Sequence, residues 1–389
     1  MPAFGALERG VQVTVYLDAS ATTPVDRRVV DLVILHMLEE YGNAGSRTHD
    51  MGLAAQRAVA SARRQVAKVV DCQHDEVIFT SGATEANNIA ILGLAAEGER
   101  SARRHIIATA IEHKAVLEPL DRLAAQGFEV DLVQPDDSGR VDPAAVIERL
   151  RPDTLLVSVM AANNETGIIQ PIDEVCAGLA NHPAYLHVDA AQAFGKVIGP
   201  LRRDRIDLMA ISGHKIFAPK GVGALIARKR GFRRPPLTPL TVGGGQERGL
   251  RPGTLPVPLI AGLGLAAELA IRENDERQRA CMAYRTDVLN GLAPLNPIVH
   301  GDQAHAMPHV LNVALPGLDS EAVMVAWRDV LAVSNGSACT SASYEPSHVL
   351  VAMGLPGAQI RGALRLSWSH VTEAVNWPEA VSRVRDLLG

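Results

Sequence analysis

The sequence predicts an α/β protein: a mixed, mostly parallel sheet covered on both faces, followed by a smaller C-terminal α+β domain. Two observations carry this expectation. Between residues 77 and 226 short, near-continuous apolar runs alternate with helical stretches, the signature of βαβ units whose strands are buried on both sides. The 389 residues also suffice for a large core and a second domain.

Taken in order, Thr23-Pro24 reads as a capping threonine before a proline suited to a first helical turn, leading into Val29, Val33, Leu35 and Leu38. Gly42-Asn43 breaks that run, and a second helix is expected from Asp50 to Val70. The apolar runs then follow at 77–79, 105–108, 155–159, 185–188, 208–211 and 222–226, and read as strands. Arg233-Arg234-Pro235-Pro236 and Gly243-Gly244-Gly245 mark a long loop. A helical region from about Val257 to Leu292 leads into the smaller unit. The expected division is an extension at 1–15, a large domain at 16–256 and a small domain at 257–389, with the N-terminal segment packing on the small one.

Composition excludes several classes. A hydrophobic share of 47% with 21% charged residues is ordinary for a globular enzyme. A net charge of -5 argues against direct binding to nucleic acid through a basic face. No apolar stretch reaches the roughly 18 residues of a membrane span, and Met1 to Gly10 lacks a secretory pattern, so a cytoplasmic setting is expected. The four cysteines lack C-x-x-C spacing, which points to neither a metal site nor a disulfide framework.

Five apolar runs are each followed by a polar motif: Thr80-Ser81-Gly82-Ala83-Thr84-Glu85, Glu112-His113-Lys114, Asn163-Asn164-Glu165-Thr166, Asp189-Ala190-Ala191-Gln192 and Ser212-Gly213-His214-Lys215. Strand C-termini of an open parallel sheet share one edge, where ligands bind, so the five motifs should converge. Lys215 is one of six lysines, and it alone joins a strand end, a preceding histidine and an upstream aspartate. Desolvation there frees an amine as a Schiff-base former, and Asp189 is suited to a pyridinium nitrogen; together they suggest pyridoxal 5'-phosphate. Ala83 and Thr84 open a helix and offer N–H groups and a hydroxyl to a phosphate. Ser212 and His214 would add donors. His113 suits stacking on the ring, and Gln192 suits its phenolic oxygen. Asn164 either shares that oxygen or meets the substrate.

Cys339 lies in Ser334-Asn335-Gly336-Ser337-Ala338-Cys339-Thr340-Ser341-Ala342-Ser343, a small and polar stretch that cannot pack a core. An accessible thiol is the reactive kind, whereas Cys72, Cys176 and Cys281 read as inert and buried.

With Tyr16-Leu17-Asp18, Ala21-Thr22-Thr23-Pro24, Arg251-Pro252-Gly253-Thr254 and the motifs above, the chain resembles the NifS/IscS-like cysteine desulfurases, long-loop group, of the class V aminotransferase family. The resemblance implies the aspartate aminotransferase type I fold of pyridoxal-phosphate transferases, a homodimer, and L-cysteine as substrate. It implies catalytic roles for Lys215, His113 and Cys339, a Thr254 that reaches the phosphate in the other subunit, and an Arg365 that grips the substrate carboxylate. Sulfur would rest as a persulfide on Cys339 and pass to an acceptor protein. Iron–sulfur assembly, tRNA thiolation and DNA phosphorothioation are the routes it opens. No resident metal is implied, only transient iron–sulfur contact through Cys339.

The chain departs from the family pattern at Asn335, at Gln246 and at Ser367-Trp368-Ser369-His370. It also ends at Leu388-Gly389 without the tail that housekeeping forms use to dock a scaffold, which favours a dedicated acceptor. Two other classes share part of the logic. A selenocysteine lyase or aminotransferase needs Lys215 and Asp189 but no loop thiol; a non-catalytic partner needs no coherent site.

Overall fold

The computed structural model describes residues 14–336 and 346–387. In chain order its strands are β1 (Val15–Tyr16), β2 (Val77–Thr80), β3 (His105–Thr109), β4 (Glu129–Val133), β5 (Thr154–Ser158), β6 (Tyr185–Asp189), β7 (Leu208–Ser212) and β8 (Gly223–Ala227). β9 (Ile298–Val299), β10 (Val310–Ala314), β11 (Leu331–Ala332) and β12 (Ala363–Ser367) follow.

Seven strands form one sheet in the order β2-β8-β7-β6-β5-β3-β4. β4, β3, β5, β6 and β7 run parallel, while β8 is antiparallel to both its neighbours, β7 and β2. Two reversals cancel, so β2 points the same way as β7. All five motif-bearing strands therefore end at one edge. The sequence pattern does not announce β4, because Glu129–Val133 is a sheet-edge strand with only Val133 fully buried and carries no apolar run.

Strand alternation divides the interior. Val77, Phe79, Ile107, Val157, Met209 and Ile211 enter the core on one face, and Ile78, Ile106, Ala108, Leu208 and Ala210 the core on the other. Helix Asp50–Val70 and helix Val257–Arg272 cover the first face. The expected boundary at residue 257 does not separate the cores: Val257, Ile260, Leu263 and Ala267 belong to the large one. The expected long helical region breaks at Glu273, between Val257–Arg272 and Asn274–Leu292. A second core gathers Val15, Leu17, Cys281, Val288, Trp327, Leu364 and Trp368, around the sheet β12-β10-β9 and the parallel pair β1-β11.

The first helix corrects the expected cap. It spans Arg27–Leu38 and is capped by Asp26, whose carboxylate accepts from the Arg28 N–H. A residue before proline is pushed out of helical geometry. Thr23 instead donates from Oγ1 to the His214 carbonyl at 3.0 Å and accepts from the Phe217 N–H at 2.9 Å. No helix among the described residues is long and apolar enough to cross a membrane.

Candidate active site

β7 ends at Ser212 and the chain turns through one helical turn, Gly213–Lys215. That turn is stitched to the segment before the first helix: Lys215 Nζ donates to the carbonyls of Ser20 and Ala21, the latter at 2.8 Å. His214 Nδ1 lies 3.2 Å from Thr22 Oγ1, and burial pulls its pKa down to about 4. On the neighbouring strand β6, Asp189 pairs in register with Ala210 and is buried. Its Oδ2 accepts from Asn87 Nδ2 at 2.7 Å, and its Oδ1 from the Ala191 N–H at 2.9 Å. Behind Asn87, His187 Nε2 lies 3.0 Å from Asn87 Oδ1 and His187 Nδ1 lies 2.8 Å from Ser158 Oγ.

His113 caps the helix Lys114–Ala124, its Nδ1 accepting from the Ala115 N–H at 3.0 Å. That leaves Nε2 to carry the ring proton. The protein packed around the ring lowers its pKa, with Asp189 opposing and Lys215 adding to the shift. The preceding Glu112 is fully buried. Its Oε1 accepts from Thr109 Oγ1 at 2.8 Å and from the Met160 N–H at 2.6 Å, while Oε2 has no partner. Burial, then the charge of Asp189, pushes this carboxyl up to about 8.

At the end of β2 the helix Ala83–Leu92 starts on Gly82. Its first internal bond runs from the Ala86 N–H to the Gly82 carbonyl, so the N–H groups of Ala83 and Thr84 are free to meet an anion. Ser212 Oγ would lie 3.7 Å from a Cβ placed on Gly82. A Cβ on Gly223 would come within 2.6 Å of the Gly82 Cα, so only glycine lets the helix start sit this close to β8. Arg251 ties the stretch carrying the exposed Thr254 to this helix through Glu85 at 2.9 Å, and Gln246 Oε1 accepts from the Gly253 N–H.

Arg365 arrives on β12 and is buried. It donates to the Asn164 carbonyl at 3.1 Å and to Asp18 Oδ1 at 2.6 Å, and its Nε has no partner. Its backbone pairs with Ser334, which leads into the Cys339 stretch. Cys339 itself lies outside the described residues. Burial pushes the thiols of Cys72 and Cys176 up to about 12 and that of Cys281 to about 11, so none supplies a thiolate at neutral pH.

These residues fit pyridoxal phosphate. An amine, a buried carboxylate on the adjacent strand and a helix N-terminus beside a serine hydroxyl share one sheet edge. Two buried polar atoms next to the amine, Ser20 Oγ and Gln192 Oε1, lack partners, as a ligand-binding wall would.

The Aminotransferase class-V family model matches residues 15–375. The chain belongs to that family. Its members depend on pyridoxal phosphate, and so does this chain. It is 45% identical to the cysteine desulfurase IscS of Anaeromyxobacter dehalogenans over 89% of this chain and 85% of that protein. Among solved structures it resembles DndA from Streptomyces lividans, with 55% identity, a TM-score of 0.80, and 91% of this chain and 99% of that chain covered. SspA in complex with cysteine gives 35% identity and a TM-score of 0.80 over 91% of this chain and 98% of that one.

Within this class V site, Asn87, His187 and Ser158 escape the motif reading, while Glu112 and Asp18 stand in motifs that gave them no role. Asn87 did leave a signal: it is polar on the sheet-facing side of its helix, beside Ala86 and Ala90. Ser158 and His187 sit inside runs that read as plain buried strand.

Proposed function

We propose that the chain is an L-cysteine desulfurase that yields L-alanine and passes sulfur from a Cys339 persulfide to an acceptor protein. The observation that carries this reading is the meeting of Lys215, Asp189 and the half-free guanidinium of Arg365 around one sheet edge. A buried Arg365 with an unpaired Nε offers a substrate carboxylate a charge-assisted fork, supported from behind by Asp18.

When bound, pyridoxal phosphate supplies an electron sink that weakens the bonds around the substrate Cα. Asp189 would hold the ring nitrogen. Ala83, Thr84, Ser212, His214 and, from a second subunit, Thr254 would hold the phosphate. Gln192 and Asn164 would face the phenolic oxygen, with Asn164 also near the substrate through its contact with Arg365. Lys215 shuttles a proton at Cα, and the Nε2 proton of His113 is placed to serve the same traffic. The Cys339 thiolate attacks the substrate sulfur. The S–S bond forms as the C–S bond breaks, and the three-carbon remainder takes up protons and leaves as L-alanine.

A homodimer is part of the proposal, because Thr254 is exposed and the large apolar side chains of Leu38, Tyr41, Phe232 and Val242 are exposed with it. A cytoplasmic setting accords with the desulfurase reading. For the acceptor we favour a dedicated protein over a housekeeping iron–sulfur scaffold. The 55% identity to DndA against 45% to an IscS supports that choice.

The test is product analysis. Purified protein given L-cysteine should release alanine and sulfur in equal amounts, with a persulfide mapped to Cys339. Conversion of L-cysteine to mercaptopyruvate in the presence of an oxo-acid acceptor, with no sulfur released, would favour the aminotransferase alternative.

A further inference from the structure

We propose that Asn87, His187 and Ser158 form a buried relay that fixes the orientation and charge of Asp189, and so sets how tightly the ring-nitrogen partner holds the cofactor. The inference rests on the pyridoxal-phosphate reading of the site. It makes Asn87 and His187 positioning residues.

The relay follows from donors and acceptors alone. Asp189 Oδ2 needs a donor, so the Asn87 amide must present Nδ2 to it, at 2.7 Å. The reverse orientation would set an amide oxygen against a carboxylate. Asn87 Oδ1 then faces His187 Nε2 at 3.0 Å and requires an N–H there. A neutral imidazole carries one ring proton, so Nδ1 becomes the acceptor, and Ser158 Oγ at 2.8 Å becomes its donor. Every link is buried: Asn87, Ser158 and His187 have no exposed surface, and Asp189 has 5%. Three elements supply the parts: the helix after β2, β5 and β6.

The surroundings keep this chain in one state. Burial holds His187 down to about 4, so it stays neutral with a single tautomer at physiological pH. Asp189 faces Glu112 and His113 from the segment after β3, Lys215 after β7, and the Ala191 N–H of its own loop. Glu112, pushed up to about 8, keeps its proton near neutrality. With both oxygens already accepting an N–H, Asp189 turns its remaining lone pairs toward a further donor. A ring N–H is such a donor.

The wild-type holoenzyme gives the first readout. In ¹⁵N-histidine NMR, His187 should show a persistent Nε2–H signal that does not titrate between about pH 5.5 and 8.5. A signal titrating near the ordinary histidine value, or an Nδ1–H tautomer, overturns the relay. Variants give the second. H187F removes both ring partners, whereas H187Q keeps an N–H close to the Nε2 position. The dissociation constant of pyridoxal phosphate, titrated into apoprotein, should rise about tenfold in H187F and by less than about threefold in H187Q. The pH midpoint of the bound-cofactor absorbance should move in H187F alone. A folded H187F with wild-type affinity and spectrum contradicts the proposal, and if H187F does not fold the NMR result decides. Wild-type apoprotein that fails to bind pyridoxal phosphate would instead defeat the reading of the site itself.

Discussion

Two half-buried lysines lie near enough for their charges to interact, and they differ in what surrounds them. Lys215 lies in the turn after β7 at the shared sheet edge, its amine held by two carbonyls, with Asp189 one strand away. Lys196 lies in a cleft between the two cores, beside Phe217, Arg277, Cys281 and His370, with its amine 3.2 Å from His309 Nε2. Burial, then the charge of Lys215, brings Lys196 down to about 7. Judged by a free amine alone, Lys196 is a ready nucleophile at neutral pH. Yet among the described residues no carboxylate lines its cleft. A depressed pKa makes an amine reactive, while neighbours decide what it reacts with.

Exchanging the two lysines is the sharpest way to break this comparison. K215A should lose alanine release from L-cysteine by more than about a thousandfold, and K196M should retain it within about fivefold. Equal losses would show that the cleft takes part in the chemistry. C339S should fail almost as completely, but at a different step: it should bind pyridoxal phosphate normally and form no persulfide. Wild-type sulfur release by C339S would remove the thiol from the account.

R365K should lower kcat/KM for L-cysteine by about a hundredfold, because an ammonium cannot reproduce the planar fork held between Asp18 and Asn164. A change confined to kcat with KM unmoved would argue against carboxylate recognition.

The smallest effect concerns stability. Folded Glu112 binds its proton up to about pH 8, against an ordinary value of 4.5, so wild type loses stability as pH rises from 4.5 through 8. E112Q has no such group. Its urea midpoint relative to wild type should therefore climb with pH across that window. A constant difference would place the Glu112 carboxyl in a wetter setting. His187 works in the other direction, costing stability as pH falls from 6.5 toward 4.

Much of this was legible in the chain. Lys215, Asp189, His113 and the Gly82-Ala83-Thr84 helix start follow apolar runs, and hydrophobic continuity marks strands whose ends share an edge. Other features depend on distance that no local pattern carries. Asp18 meets Arg365 across 347 positions, and Asn87 meets Asp189 across 102. Thr23 looks like a helix cap in isolation, but its hydroxyl is taken by the turn at His214 and Phe217. The boundary at 257 failed for a similar reason, since a helix that begins after a loop still finds its apolar partners in the core before it.

The central claim is that neighbours, rather than acidity alone, choose the cofactor lysine. Borohydride reduction of the pyridoxal-phosphate-loaded protein, followed by peptide mapping, tests it directly. The label should sit on Lys215, with Lys196 and Lys220 unmodified. A label on Lys196 would contradict the account.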